Sequence, residues 1–323
     1  MKFIIIGLGS MGKRRIRNLQ ALGHTDITGF DPREDRRKEA ENLYGIKTVD
    51  SHGELSAYDA VFVCVPPDLH MHYAQKAYES GVHAFIEAGM FDDGMEELWE
   101  NVRVSDLKFY ASSTMMFNPL IMKIKELTDA GSIGKLLNFS YHAGSYLPLW
   151  HPWEGLDFYG SKRGTGACRE MVVFDLAWIN WIFGDLEDAK SFFSKTSGLD
   201  MEADDVYAMI LKYPCGLLGT YMVDIVSRNN SIRRLIINGE KGQIFWDWEE
   251  NKIKLYDGDE NLWVHYIAPK GTSVSGYNSL IAEEMYINEV RAFISSVEND
   301  TQVAHTLGDD LKNVAALRMI ERA

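Results

Sequence analysis

From Lys2 to Ser112, short apolar runs alternate with stretches that carry apolar residues at helical spacing. KFIIIG (Lys2 to Gly7) has the pattern of a strand buried on both faces. SMGKRRIRNLQALG (Ser10 to Gly23) has the helical period and a closing glycine. DITGFD (Asp26 to Asp31), IKTV (Ile46 to Val49), AVFVCV (Ala60 to Val65), HAFIE (His83 to Glu87) and KFYAS (Lys108 to Ser112) are further strand candidates. Helical segments such as PREDRRKEAENLY and LHMHYAQKAYESG separate several of them. Strand and helix in alternation predict a doubly wound parallel sheet.

At Asn118-Pro119 the pattern changes. One helix, Pro119 to Ala130, ends at AGSIGK, and strand-like runs rich in Tyr, Phe and Val follow. They are LLNFSYHAGS, DAKSFFSKTS, DVYAMILKY, LGTYMVDIVS, RRLIING, QIFWDW and KIKLYDG, with NGEKGQ (Asn238 to Gln243) as a hairpin loop. Without intervening helices these runs predict a large, mostly antiparallel sheet. Two helices close the chain, Ser279 to Glu298 and Gly308 to Arg322. The expected organisation is a first α/β domain over residues 1–118 and an α+β domain over residues 119–323, whose last helix is free to pack back on the first domain.

GLGSMG, Gly7 to Gly12, fits G-x-G-x-x-G between a predicted strand and a predicted helix, with Asp31 at the end of the second strand. Gly7 permits the tight turn, Gly9 lets backbone approach a pyrophosphate, and Gly12 allows close helix–strand packing. The helix N-terminus at Ser10 and Met11 stabilises phosphate charge. Asp31 accepts from the adenosine ribose hydroxyls and repels a 2′-phosphate, which favours NAD over NADP; Arg33 weakens that preference slightly. The loop is therefore expected to bind NAD through Gly7, Gly9, Ser10, Met11, Gly12 and Asp31.

The formal net charge of -14 argues against a nucleic-acid partner. The densest basic run, KRRIR from Lys13 to Arg17, falls on the first turns of the predicted helix, where one or two arginines face phosphates and the rest are solvated. The chain has 3 cysteines, Cys64, Cys168 and Cys215, far apart and outside any metal-ligand spacing, so no metal is expected. They suit a reducing cytoplasm. No apolar run approaches the roughly 20 residues needed to span a bilayer, and no signal core precedes FIIIG.

The glycine fingerprint, VCVPPDLHMHYA and GVHAFIEAG together resemble the glucose–fructose oxidoreductase / inositol dehydrogenase / MocA family. FNPLIMKIKEL, GSIGKLLNFSYH and the long segment from Ser145 to Asp185 extend the resemblance over most of the chain. It implies a two-domain NAD(P)-dependent oxidoreductase acting on sugars or polyols, and a homo-oligomer formed through the C-terminal sheet. It also implies that Pro66 and His70 shape the loop near the nicotinamide half, and that Glu87 hydrogen-bonds the nicotinamide ribose. The family's Glu-Lys-Pro is matched only by Glu87, since its Lys position is Ala88. Anchored on Trp181 and Gly184, the family's catalytic His position falls on Phe174 and a neighbouring Asp on Ala177. An earlier Asp falls on Met171 or Glu170.

Hydride transfer needs positioning, and the hydroxyl proton needs a base within hydrogen-bond reach. With the family's groups replaced, the candidates cluster in YLPLWHPWEGLDFYGSKRG. They are His151 as a neutral base and Tyr159 beside Lys162 as an activated phenol, with Asp157 and Arg163 nearby and Glu170 and Asp175 on the following helix. Trp150 and Trp153 are candidates for stacking on a sugar ring. The expected function is an NAD-dependent oxidoreductase on a sugar, amino sugar or nucleotide-linked sugar, with a non-standard acid/base set. The alternatives are a catalytically silent NAD(H)-binding sensor or partner protein, and an enzyme that oxidises its substrate only transiently.

Overall fold

Strand β1 (Phe3–Ile6) is four apolar residues, none with exposed surface, as expected of a strand covered on both faces. The computed structural model describes residues 1–89, 91–150, 155–228, 231–269, 271–272 and 282–323. After β1 come α1 (Ser10–Ala21), β2 (Ile27–Phe30), α2 (Glu34–Tyr44), β3 (Lys47–Val49) and β4 (Ala60–Val63). Then follow α3 (His70–Glu79), β5 (His83–Ile86), α4 (Met95–Val102) and β6 (Phe109–Ala111). The six strands pair in parallel in the order β3-β2-β1-β4-β5-β6. The order reverses at β1, and in open sheets of this kind the crevice beyond the carboxyl ends at that point is where ligands bind. All six strands fall where the apolar runs predicted them.

After α5 (Pro119–Asp129), capped by the Asn118 side chain, the chain enters a second sheet. It consists of β7 (Leu136–Gly144), β8 (Asp188–Ser194), β9 (Val206–Lys212), β10 (Leu218–Asp224), β11 (Ile232–Gly239), β12 (Gly242–Asp247), β13 (Lys252–Asp257) and β14 (Leu262–Ile267). The order is β14-β13-β12-β11-β7-β10-β9-β8, with β7 and β10 parallel and the other pairs antiparallel. Phe139, Tyr141 and Ala143 are buried on one face, and helix α6 (Ala167–Phe183) packs its Trp178 and Phe183 against that side. On the other face Phe192, Ile210 and Met222 are exposed among the described residues.

Two helices end the chain, α7 (Glu283–Glu298) and α8 (Leu307–Arg322). The compact units do not divide once at residue 118: unit 1 is Met1–Thr114 with Glu283–Val314, and unit 2 is Met115–Ala282 with Ala315–Ala323. All of α7 and the start of α8 therefore belong to unit 1, where the expectation was a division at residue 118 with only the last helix free to pack back. The cause lies on one face of α7. Phe293 sits edge-on to Phe62 and Phe85 on the parallel sheet, and Glu289 one turn earlier reaches a buried arginine of α1. The predicted start of this helix, Ser279, lies outside the described residues.

Candidate active site

Two of the three fingerprint glycines are required by the fold itself. A Cβ at Gly12 would lie 1.8 Å from the Gly7 carbonyl oxygen, and one at Gly7 would lie 2.5 Å from the Cys64 carbonyl oxygen. Gly7 also has φ +94, a conformation that side chains other than glycine rarely adopt. Gly9 differs. Among the described residues its Cβ position meets nothing closer than an Arg36 nitrogen at 3.8 Å, so no packing there excludes a side chain. The free space lies at the N-cap of α1, whose first turn, opening with Ser10 and Met11, carries no acidic residue. A bare backbone at the positive end of a helix fits a diphosphate, and these residues suit a dinucleotide.

Asp31 follows β2 and is buried. One carboxylate oxygen accepts from the Leu8 amide at 2.9 Å and the other from the Arg33 amide at 2.9 Å. It thereby ties the glycine loop to the turn after β2. The Arg33 side chain pairs outward with Asp35.

Beyond β4, Pro66 has extended backbone and Pro67 opens a short turn that leads to His70 at the head of α3. His70 Nε2 lies 2.9 Å from the Val65 carbonyl, so that nitrogen donates and Nδ1 is left as an acceptor. Nδ1 is buried, has no partner among the described residues, and lies 3.2 Å from where a Cβ on Gly89 would stand. Burial lowers the pKa of this imidazole and keeps it neutral.

Glu87 closes β5 and is bound by Arg15, whose Nε and Nη2 reach its two oxygens at 2.5 and 3.1 Å. Arg15 is fully buried, and its Nη1 meets Glu289 at 2.9 Å while its guanidinium lies over the Phe85 ring. Arg14 is also buried, paired with Glu283 at 2.9 Å, and Arg17 reaches the same carboxylate. The expectation that KRRIR faces phosphates or solvent is corrected for Arg14 and Arg15: acids from β5 and α7 fix them inside unit 1. Periodicity gave no sign of this, because the partners lie far along the chain.

In unit 2, Tyr159 is half-buried and its hydroxyl donates to Glu170 Oε1 at 3.1 Å. Glu170 stands in the first turn of α6, where the helix dipole favours a carboxylate. Lys162, expected beside Tyr159, is exposed, as are Arg163 and Asp157. His151 and Trp153 lie outside the described residues. Trp150 Nε1 donates to Ser145 Oγ at 2.6 Å. Asp175 is fully buried and accepts from Tyr221, Tyr141, Trp178 and Arg233, which makes it a packing hub between α6 and the strands β7, β10 and β11. Phe174 lies under the Arg233 guanidinium and Ala177 is buried, so neither offers a proton-transfer group. Among the described residues there is no cluster of three metal-ligating side chains.

Residues 1–103 match the family model described as "Oxidoreductase family, NAD-binding Rossmann fold". Residues 121–245 match "GFO/IDH/MocA C-terminal domain". A dTDP-3,4-didehydro-2,6-dideoxy-alpha-D-glucose 3-reductase of Actinomadura kijaniata is 26% identical over 191 residues, 57% of this chain and 56% of the reductase. The chain spans about half or less of the curated relatives it matches. Among solved structures, an oxidoreductase from Agrobacterium radiobacter in complex with NAD+, L-tartaric acid and magnesium superposes with a TM-score of 0.87. It is 14% identical, with 98% of this chain and 94% of that one covered. Levoglucosan dehydrogenase in complex with NADH and levoglucosan superposes with a TM-score of 0.84 at 14% identity, covering 100% and 96%. At such identities the likeness is one of fold.

Proposed function

Because the chain belongs to the GFO/IDH/MocA family of NAD-binding oxidoreductases, we propose that it oxidises or reduces a CH–OH group of a sugar, amino sugar or nucleotide-linked sugar. Tyr159 and Glu170 serve as its proton-handling pair in place of the family's usual residues. The observation that carries this reading is the 3.1 Å hydrogen bond from Tyr159 to Glu170. It joins a phenol and a carboxylate beside positions 174 and 177, where the family pattern loses its polar groups. A carboxylate held against a phenol can take its proton as the phenol takes one from a substrate hydroxyl. Bound NAD supplies the hydride acceptor. The protein's own part is to hold the diphosphate at Gly9 and α1 and to move the proton at Tyr159. His151 and Lys162 remain proposed contributors from the same segment.

The carbohydrate class rests on the relatives that act on a dTDP-linked sugar and on levoglucosan, together with the Trp150 to Arg163 segment. The enzyme is proposed to work in the cytoplasm as a homo-oligomer. No helix among the described residues is long and apolar enough to cross a membrane. The test is nicotinamide absorbance at saturating NAD(H) across a panel of free, phosphorylated and nucleotide-linked sugars. Turnover with a member of that panel is expected. NADH binding without turnover on any of them would favour the second reading, a silent NAD(H)-binding protein, for which Ala88, Phe174 and Ala177 argue.

A further inference from the structure

We propose that the second sheet carries a sugar-binding pocket of its own, apart from Tyr159 and Glu170, which takes a neutral pyranose ring against Trp263. The pocket has a volume of about 540 Å³ and opens at the hairpin ends of β11–β12 and β13–β14. It stands at the start of β7, where Leu136 pairs with Gly239. The Tyr159 segment stands at the other end of that strand. There the Ser161 carbonyl accepts from the amides of Glu202 and Ala203, and the Asp205 carbonyl from Ile225, just past β10. The pocket is also distant from the exposed Phe192, because β14 and β8 are opposite edges of the sheet.

Asn138, Asn238, Gln243, Tyr256 and Trp263 stand directly opposite one another across β7, β11, β12, β13 and β14. Asn238 Nδ2 donates to Asn138 Oδ1 at 2.8 Å, and Gln243 Nε2 donates to Asn238 Oδ1 at 2.7 Å. The three amides thus run one way, and the Gln243 carbonyl oxygen at the pocket end has no partner among the described residues. Donation along such a chain polarises each amide, which makes this carbonyl a strengthened acceptor for a hydroxyl. Next in the row, the Tyr256 and Trp263 rings lie 5.2 Å apart, tilted by 47°. The Tyr256 hydroxyl is tied to Asn261 at 2.6 Å, while Trp263 keeps 50% of its surface exposed.

The two hairpins are locked to each other by backbone packing. A Cβ at Gly242 would lie 2.2 Å from the Tyr256 carbonyl oxygen, and one at Gly258 would lie 2.6 Å from that of Lys241. The pocket is therefore held in shape before any ligand arrives. Its rim carries Lys241, Glu240 and Asp259, and neither Lys241 nor Asp259 has a side-chain partner among the described residues. Two acids against one base disfavour a phosphate, and Lys241 disfavours a cation. A sugar ring is neutral, uses donors and acceptors alike, and presents an apolar C–H face to an indole. An aromatic wall with a few fixed polar groups matches it.

The experiment is fluorine NMR of the full chain grown with fluorotryptophan, in which Trp263→Phe identifies the Trp263 signal by its loss. Methyl glucoside, maltose and cellobiose are each added to about 50 mM. With at least one of them the Trp263 signal is expected to move saturably, with a midpoint of about 1–10 mM, as a few contacts to one ring allow. Gln243→Ala should raise that midpoint at least about threefold, through loss of one hydrogen bond, and Tyr159→Phe should leave it unchanged. The measurement uses neither NAD(H) nor turnover, so its outcome is separate from that of the oxidoreductase reading. No saturable movement with any of the three sugars overturns the proposal. So does a midpoint that Gln243→Ala leaves within about threefold, or one that Tyr159→Phe shifts by as much. A Trp263 signal that moves on protein dilution and not on sugar addition assigns the pocket to a second copy of the chain and overturns it too.

Discussion

Arg15 and Glu289 are 274 residues apart in sequence and meet at 2.9 Å with neither side chain exposed. Burial alone would lower the Arg15 pKa, but Glu87 and Glu289 together hold it above its ordinary value, so the cation persists. Glu289 also accepts from the hydroxyls of Ser112 and Thr114 and from the Ser113 amide. One carboxylate on α7 thereby fixes the segment after β6 to the first helix.

Removing one partner of a buried ion pair costs about 3–5 kcal/mol, because the other charge stays buried and unpaired. Glu289→Ala leaves Arg15 its Glu87 partner but strips Arg15 Nη1, the Ser113 amide and the Ser112 and Thr114 hydroxyls of their acceptor, so a loss near the lower end of that range is expected, read as a lowered urea midpoint. A loss below about 1 kcal/mol would show that water or rearrangement replaces the carboxylate, against the burial seen here.

The glycine loop makes a sharper prediction, because its members differ in cause. Gly12→Ala places a methyl 1.8 Å from a carbonyl oxygen and should disrupt folding. Gly9→Ala meets open space at φ -70, so its stability should change by less than about 0.5 kcal/mol. NADH affinity should nevertheless fall, since the added methyl occupies the diphosphate's approach. Melting and NADH titration on the same sample decide it, and a Gly9→Ala protein with unchanged affinity contradicts the assigned role.

His70 gives a pH dependence with a definite sign. Its folded pKa is lowered by burial, so below the ordinary 6.5 the unfolded chain takes up a proton that the folded protein refuses. The unfolded state binds more protons there, and stability falls as pH drops through 6.5 toward the folded value, at most about 1.4 kcal/mol per pH unit. His70→Gln removes the titrating group. The variant should lose less stability than wild type between pH 7.5 and 5.5 in urea melts. Equal losses would mean that His70 titrates alike in both states.

Most of the fold was legible in the sequence, and the unread parts share a physical cause. All six parallel strands and β7 to β13 announced themselves by apolar runs or alternation with flanking turns. β14 did not, because Leu262, Trp263, Val264, His265 and Ile267 are exposed on an edge and impose no alternation. The return of α7 to the first sheet was also unreadable. Amphipathic spacing says that a helix has a buried face, not which sheet covers it. Likewise, the burial of Arg14 and Arg15 and the pairing of Tyr159 with Glu170 depend on tertiary partners. The packing roles of Gly7 and Gly12 could be read because the fingerprint spacing marks where strand and helix backbones approach closely.

The Tyr159–Glu170 pair predicts a split between binding and chemistry. Tyr159→Phe removes the proton-carrying oxygen and keeps the ring. Loss of a general acid–base group lowers turnover about 10²–10⁴-fold. NADH affinity should stay unchanged, and Glu170→Gln should fall less far while shifting the pH profile of kcat/KM, because it acts through Tyr159. Equal turnover in Tyr159→Phe and wild type would move proton transfer to another group of the segment.

The open face of the second sheet carries Phe192 at 86% exposure and Ile210 at 56%, with Met222 also exposed. Apolar side chains gathered on one face mark an interaction surface, and a second copy of the chain is the occupant proposed above. Phe192 and Ile210 stand on adjacent strands, with Ala208 directly opposite Phe192. Phe192→Lys together with Ile210→Lys would place two cations on that face. Light scattering should then show a smaller species than wild type at the same concentration, with the melting temperature of the dilute protein little changed. A double variant that elutes and scatters like wild type would show that assembly does not use this face.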